Sequence, residues 1–267
     1  MSRVVLPIAL TIAGSDSGGG AGLQADLKVF AALGVHGTSV VTCLTAQNPA
    51  GVTAVQAVHA TMVRAQLEAV FDGLRPAAAK TGMLYSARII REVAGFWATG
   101  RKPPLVVDPV MVATSGAMLL RPDALRALRD ELLPLATVVT PNVAEAQQLV
   151  GTPLRTVEDL RAAARQIVRQ FGCAALVKGG HLRGLRCAVD VFQDGQTELL
   201  LQAPFVPGVR THGTGCTCSA AIAAELARGV ELAEAVTRAK RLVTQSILRA
   251  GRAGRFDVLN PLGTRPG

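Results

Sequence analysis

The chain reads as an α/β protein with a mostly parallel central sheet, helices on both faces and a hairpin at the sheet edge. Three observations predict this. Short runs rich in Val, Ile and Leu recur between segments of helical periodicity, the pattern of buried parallel strands joined by crossover helices. One stretch breaks the alternation: in "AVDVFQDGQTELLLQ" (188–202), Asp194-Gly195 joins two strand-like runs as a hairpin turn. A length of 267 residues, 49% of them apolar, is enough for a large core in one domain. A single domain is expected over residues 1–262, with "GTRPG" (263–267) as a frayed C-terminal tail.

Taken in order, strands are expected at 4–13, 39–45, 77–80, 105–107, 137–140 and 174–178, each an apolar run buried on both faces. Helices are expected at 23–33, 61–73, 86–100, 121–132, 142–150 and 157–171. The last begins at "TVEDL" (156–160), a capping box, and places Val157, Leu160, Ala164, Ile167, Val168 and Phe171 on one face. Two helices, 216–228 and 231–250, close the chain. In open α/β sheets the ligand sits beyond the carboxyl ends of the strands, and most of the unusual residues here fall there.

The formal charge is +9, from 28 Lys and Arg against 19 Asp and Glu. The basic residues are scattered singly along solvent-facing helix positions. With seven Phe, one Trp and one Tyr, there is no stacking platform for single strands. The charge reads as a solvated basic surface compatible with small anionic substrates, and no nucleic-acid partner is expected. Five cysteines form no CxxC pair and no Cys/His metal spacing, which suggests reduced thiols in a reducing compartment. "SRVVLPIALTIAGS" (2–15) has the look of a signal peptide, but it runs straight into a glycine loop and an amphipathic helix. A buried first strand accounts for both halves. No other apolar run reaches membrane-spanning length, so a cytoplasmic protein without a membrane partner is expected.

Six stretches carry the residues of chemical interest. "GSDSGGGAG" (14–22) lies between a strand and a helix but lacks Gly-Lys-Ser/Thr and the G-x-G-x-x-G spacing. Its glycines let backbone approach a ligand, and Asp16 adds a carboxylate for ring nitrogens or hydroxyls; a flexible turn with a solvated Asp is the alternative. In "TAQNPAG" (45–51), the Gln47 amide suits a heteroaromatic ring with adjacent amino and ring-nitrogen groups, or merely forms a turn. "VVDPVM" (106–111) and "TPNVAEA" (140–146) place Asp108 and Glu145 just past buried strands. Together they could hold Mg²⁺ beside phosphate oxygens, while separately they are a turn Asp and a dipole-favoured helix-start Glu. "VKGGH" (177–181) ends a strand with Lys178, one of only five lysines among 28 basic residues, and a compact ammonium there suits phosphate. His181 reads as a loop hydrogen-bonder. In "RTHGTGCTCSAAIAAEL" (210–226), Gly213, Thr214, Gly215 and Cys216 present successive N–H groups at a helix start, an anion hole. There the helix dipole favours the Cys216 thiolate as base or hydrogen-bond acceptor; a buried small hydrophobe is the other reading.

These stretches, with "ALTIAGSDSGGGAGLQADLK", "KTGML", "VVDPVMVATSG" and "THGTGCTCSAA" in order between about residues 9 and 250, resemble the hydroxymethylpyrimidine/phosphomethylpyrimidine kinases of the ribokinase-like superfamily. The resemblance implies a three-layer ribokinase-like fold and ATP-dependent phosphorylation of 4-amino-5-hydroxymethyl-2-methylpyrimidine, then of its monophosphate, in thiamine biosynthesis. It places Gln47, Asp16 and Met83 at the aminopyrimidine alcohol. Asp108, Glu145, Lys178 and Thr211 fall on the nucleotide side, with Asp108 and Glu145 as ligands of the Mg²⁺ that accompanies ATP. Gly213, Thr214, Gly215, Cys216 and Lys178 fall at the transferring phosphate, Cys216 standing where ribokinase relatives carry an aspartate base. A homodimer is also implied. Ala117 and Cys218 depart from the commoner acidic residue and leucine. A pyridoxal kinase of the same superfamily is the nearest rival, and a non-catalytic pyrimidine sensor another.

Overall fold

The computed structural model describes residues 4–111, 120, 122–180, 182, 184–209 and 212–263. The expected tail beyond Gly263, and the positions Ala117, His181 and Thr211, lie outside the described residues. The strands are β1 (Ile8–Asp16), β2 (His36–Asn48), β3 (Gly51–Ala57), β4 (Ala78–Thr81), β5 (Leu105–Val107), β6 (Val138–Val139), β7 (Ala174–Lys178), β8 (Cys187–Gln193), β9 (Glu198–Pro204), β10 (Gly251–Ala253) and β11 (Phe256–Val258). The helices are α1 (Gly22–Ala32), α2 (Ala60–Gly73), α3 (Ala87–Trp97), α4 (Pro122–Ala127), α5 (Val143–Val150), α6 (Val157–Phe171), α7 (Thr214–Ala227) and α8 (Leu232–Leu248).

The first nine strands form one sheet in the order β3-β2-β1-β4-β5-β6-β7-β8-β9. From β2 through β7 the pairing is parallel, while β3, β8 and β9 are each antiparallel to the preceding strand they pair with. The short central strands alternate strictly between two cores. Leu10, Ile12, Ala79, Leu105, Val107 and Val139 face the layer that holds α2, α3, α5 and α6. Ala9, Ala78, Val106, Val138 and Leu176 face α1, α7 and α8. Successive strand side chains point to opposite sides, so a continuous apolar run feeds both layers. The result is the three-layer ribokinase-like α/β architecture.

The strand expected at 4–13 begins only at Ile8. Its neighbours begin opposite that point, with Ile8 paired to His36 and Ala9 to Ala78, so Val4, Val5 and Leu6 have nothing to pair with and are exposed. The second strand is also not buried on both faces throughout. It outruns the helical layers, leaving Leu44 52% exposed, and turns back as β3, for which no strand was expected. The helix expected at 121–132 is shorter and less regular. After α4 the chain widens into a π turn (Leu128–Leu132) and tightens into a 3₁₀ turn (Leu133–Leu135) around Pro134, which cannot continue a helix. α6 behaves as expected: Thr156 and Asp159 form its capping box, and Gly172 ends it in the left-handed conformation. α7 is buried almost all round, because its alanines let it lie between the sheet and helices α1 and α8.

Candidate active site

The carboxyl ends of β1, β2, β4, β5 and β7 open with the start of α7 onto one cavity of about 1150 Å³. Asp16, Gln47, Met83, Asp108, Glu145 and Lys178 all line it, as do Gly213 through Cys216. The sequence-predicted residues that are described therefore converge on a single space.

Asp16 sits there differently from expectation. One carboxylate oxygen accepts the Gly18 N–H at 2.8 Å; the other accepts those of Gly20 at 3.1 Å and Ala21 at 2.8 Å. Burial by itself would raise this carboxyl, but the His212 ring and the three N–H groups outweigh it and hold it below the usual range. The carboxylate is consumed in folding the glycine loop, and ring nitrogens of a ligand would have to compete with backbone for it. Gln47 is held more openly. Its backbone N–H donates to Ser17 Oγ at 2.8 Å, and Thr45 Oγ1 donates to its Oε1 at 3.1 Å. That second bond orients the amide and leaves its Nε2 donors without a partner among the described residues. Nearby, the Met83 carbonyl is pinned by Thr42 Oγ1 at 2.6 Å.

The other half of the cavity is ionic. Asp108, 4% exposed, accepts from Lys178 Nζ at 3.3 Å, Thr140 Oγ1 at 3.4 Å and Ser219 Oγ at 3.2 Å. Glu145 closes a capping box at the start of α5 by accepting the Asn142 N–H at 2.9 Å, and its other oxygen accepts the Met111 N–H at 3.1 Å. Burial, then the Asp108 charge, pushes the Glu145 carboxyl up, with Lys178 opposing. Burial would lower Lys178, but the carboxylates of Asp108 and Glu145 hold it above its ordinary value. Two buried carboxylates thus share one ammonium, and a further cation would relieve them. Among the described residues no group of three or more His, Cys, Asp and Glu side chains could hold a metal alone.

α7 starts inside this half. Gly213, its N-cap, has φ 86°, and a side chain there would run into the Gly20 carbonyl oxygen, so only glycine fits. Gly215 lets Lys178 approach: a Cβ there would stand 3.2 Å from Nζ. Cys216 departs from expectation. Burial pushes its thiol up to about 11 despite the opposing Lys80 charge, so at neutral pH it rests as a thiol and not as a dipole-favoured thiolate. All five cysteines are unpaired, and burial holds Cys173 and Cys218 up to about 12.

Two further lysines line the same cavity, and neither was picked out from sequence. Lys240 of α8 lies 2.7 Å from Asp190, and Lys80 of β4 is wholly buried against Asp26. Their scarcity in an arginine-rich chain, the signal that marked Lys178, would have found both.

The phosphomethylpyrimidine kinase family model matches residues 16–259. A hydroxymethylpyrimidine/phosphomethylpyrimidine kinase of Rhizobium meliloti is 54% identical over 247 residues, 92% of each chain. The crystal structure of a phosphomethylpyrimidine kinase from Clostridium difficile superposes with a TM-score of 0.80 at 41% identity, covering 90% of this chain and 99% of that one. The ADP complex of Bacillus subtilis pyridoxal kinase superposes at 0.88 with 40% identity, covering 96% of this chain and 97% of that one.

Proposed function

The chain belongs to the phosphomethylpyrimidine kinase family, and from that premise we propose how its residues divide the work. It is a hydroxymethylpyrimidine and phosphomethylpyrimidine kinase of thiamine biosynthesis, with ATP as phosphate donor. The observation that carries the site assignment is the single cavity, which joins an amide-bearing apolar end to an ionic end at a helix start.

At the apolar end, Gln47 donates from its free Nε2 to the aminopyrimidine, and Met83 packs against the ring. Asp16 shapes the pocket by holding the glycine loop. At the ionic end, the backbone of Gly213, Thr214, Gly215 and Cys216 and the Lys178 ammonium neutralise the oxygens of the transferring phosphoryl group. Asp108 and Glu145, two buried carboxylates beside the Lys178 ammonium, would hold the Mg²⁺ that accompanies ATP. The ion supplies charge neutralisation on the phosphates. Thr211 contributes on the nucleotide side. Cys216 faces the attacking hydroxyl and takes its proton late, since a loose transition state builds little charge on the attacker early.

Residues 1–262 act as one kinase domain, and the protein works as a cytoplasmic homodimer without nucleic-acid or membrane partners. Five unpaired cysteines suit a reducing compartment, and no described helix is long and apolar enough to cross a membrane. Incubation with Mg-ATP and hydroxymethylpyrimidine, followed by mass detection, should yield the mono- and then the diphosphate. Faster turnover of pyridoxal in a parallel reaction would favour the pyridoxal kinase reading instead. Solution mass measurement tests the dimer.

A further inference from the structure

We propose that the buried Lys80–Asp26 pair is a positioning device for Cys216, holding a fixed ammonium beneath the charge that the Cys216 sulfur and the attacking oxygen share during transfer. This role rests on the kinase reading above and adds two residues to it.

Both side chains are 0% exposed, and Lys80 Nζ donates to the two Asp26 oxygens at 2.9 and 2.8 Å. Thr11 Oγ1 donates to the same carboxylate at 2.6 Å. A buried pair of this kind is a weak source of stability, because desolvation offsets its attraction and apolar replacements are often neutral or better. Its place in the fold suggests another use. Lys80 lines the cavity floor together with Gly82, Asp108 and Cys216. Gly82 lets the backbone pack closely on the ammonium, since a Cβ there would stand 3.0 Å from Nζ. α7 packs on both β4, the strand that carries Lys80, and α1, the helix that carries Asp26, and its N-cap Gly213 abuts Gly20 and Ala21 just before α1.

Among the charges around Cys216, Lys80 favours the thiolate, while Asp26 and Asp108 oppose it; Lys178 approaches the adjacent Gly215. Asp26 and Asp108 in turn keep Lys80 protonated. The step then balances without another reactant. Cys216 loses a proton to solvent, and the acceptor O–H bond breaks as an S–H bond forms on that thiolate. The new O–P bond forms as the bond from the γ-phosphorus to ADP breaks, and the thiol proton leaves before the next turnover. An ammonium already fixed in a water-poor site needs no reorganisation to stabilise this charge.

The test replaces the pair by apolar residues of similar volume, Lys80→Met with Asp26→Leu. We expect a folded protein whose Tm is unchanged or raised. Its kcat should fall about tenfold or more, one pKa unit's worth, with KM for Mg-ATP and for pyrimidine little changed. Alkylation of Cys216 at pH 9, followed by peptide mass, should slow by a similar factor. In a Cys216→Ala background the same replacement should cost no further kcat, because its effect passes through the thiol. A folded double variant with wild-type kcat and alkylation rate overturns the role. If that variant does not fold, carbon NMR of the wild-type chain with labelled cysteine Cβ decides: Cys216 should titrate below Cys173 and Cys218, and titration at or above them overturns it. The alkylation and NMR readouts need no substrate. Wild-type protein that fails to phosphorylate hydroxymethylpyrimidine would therefore sink the kinase reading while leaving the pair's effect on the thiol measurable.

Discussion

Gln47 shows how a single amide is aimed. Thr45 Oγ1, which also reaches the Ser15 carbonyl, lies against the Gln47 oxygen, and the two Nε2 donors have no partner among the described residues. Gln47→Ala should raise the pyrimidine KM about fivefold, the worth of one neutral hydrogen bond near 1 kcal/mol, and leave ATP binding unchanged. Steady-state kinetics with each substrate varied checks this, and equal weakening of both would point to a folding defect. Cys216 is the more exposed case. In the proposed role Cys216→Ala should lose roughly 10²–10⁴-fold in kcat, the range of a general base, with ATP still bound. Cys216→Asp should recover part of the loss, since a carboxylate at a helix start is stabilised and accepts a proton. With a thiol pushed up to about 11, alkylation of Cys216 should be slow at pH 7 and speed up about tenfold per pH unit until that value. Fast modification at neutral pH, or normal turnover by Cys216→Ala, would return the residue to packing alone.

At the scale of elements, the glycine loop after β1 and the start of α7 are one device. Asp16 binds the loop's N–H groups, and the loop's Gly20 carbonyl leaves room for nothing but glycine at position 213. Gly213→Ala meets both the left-handed penalty of about 1–2 kcal/mol and that carbonyl. We expect it to lower Tm and cut kcat more than tenfold, because the helix start must move away from the phosphate; an unchanged kcat would show that the N-terminus of α7 is not at the chemistry. α6 provides a contrast, since none of its residues lines the cavity. Thr156→Ala should cost about 1 kcal/mol in denaturant unfolding through loss of its cap, with kcat untouched. A kcat defect there would mean that α6 also positions the site.

For the whole molecule, thiols whose protons are held by desolvation set an alkaline limit. Cys216, Cys173 and Cys218 hold their protons up to about 11, 12 and 12, against an unfolded value near 8.5. Between these values the folded chain binds more protons than the unfolded one, so stability falls as pH rises. Their contribution is fully present below about pH 8.5 and is lost on the climb through the folded values. Tm should drop steadily from pH 8.5 to 11, and the drop should be smaller in Cys173→Ala, which lacks one of these thiols; a flat profile would contradict the desolvation of Cys173 and Cys218. Much of this molecule was legible in its residues. The alternation of apolar runs with helical periodicity determined the sheet and its two helical layers, because burial on both faces leaves a continuous apolar signature. The hairpin at Asp194-Gly195 was equally plain, because its turn chemistry is local. The strand ends carried Gln47, Asp108, Glu145 and Lys178 in recognisable company. What the tertiary structure decided was everything that depends on a partner distant in sequence. β1 starts at Ile8 because β2 and β4 begin there, and β3 forms because β2 outruns its helices. Asp16 was spent on the glycine loop, and Lys80 was paired with Asp26 from 54 residues away. Cys216 became a neutral thiol because desolvation, which is a property of the packed whole, outweighs the nearby Lys80 charge.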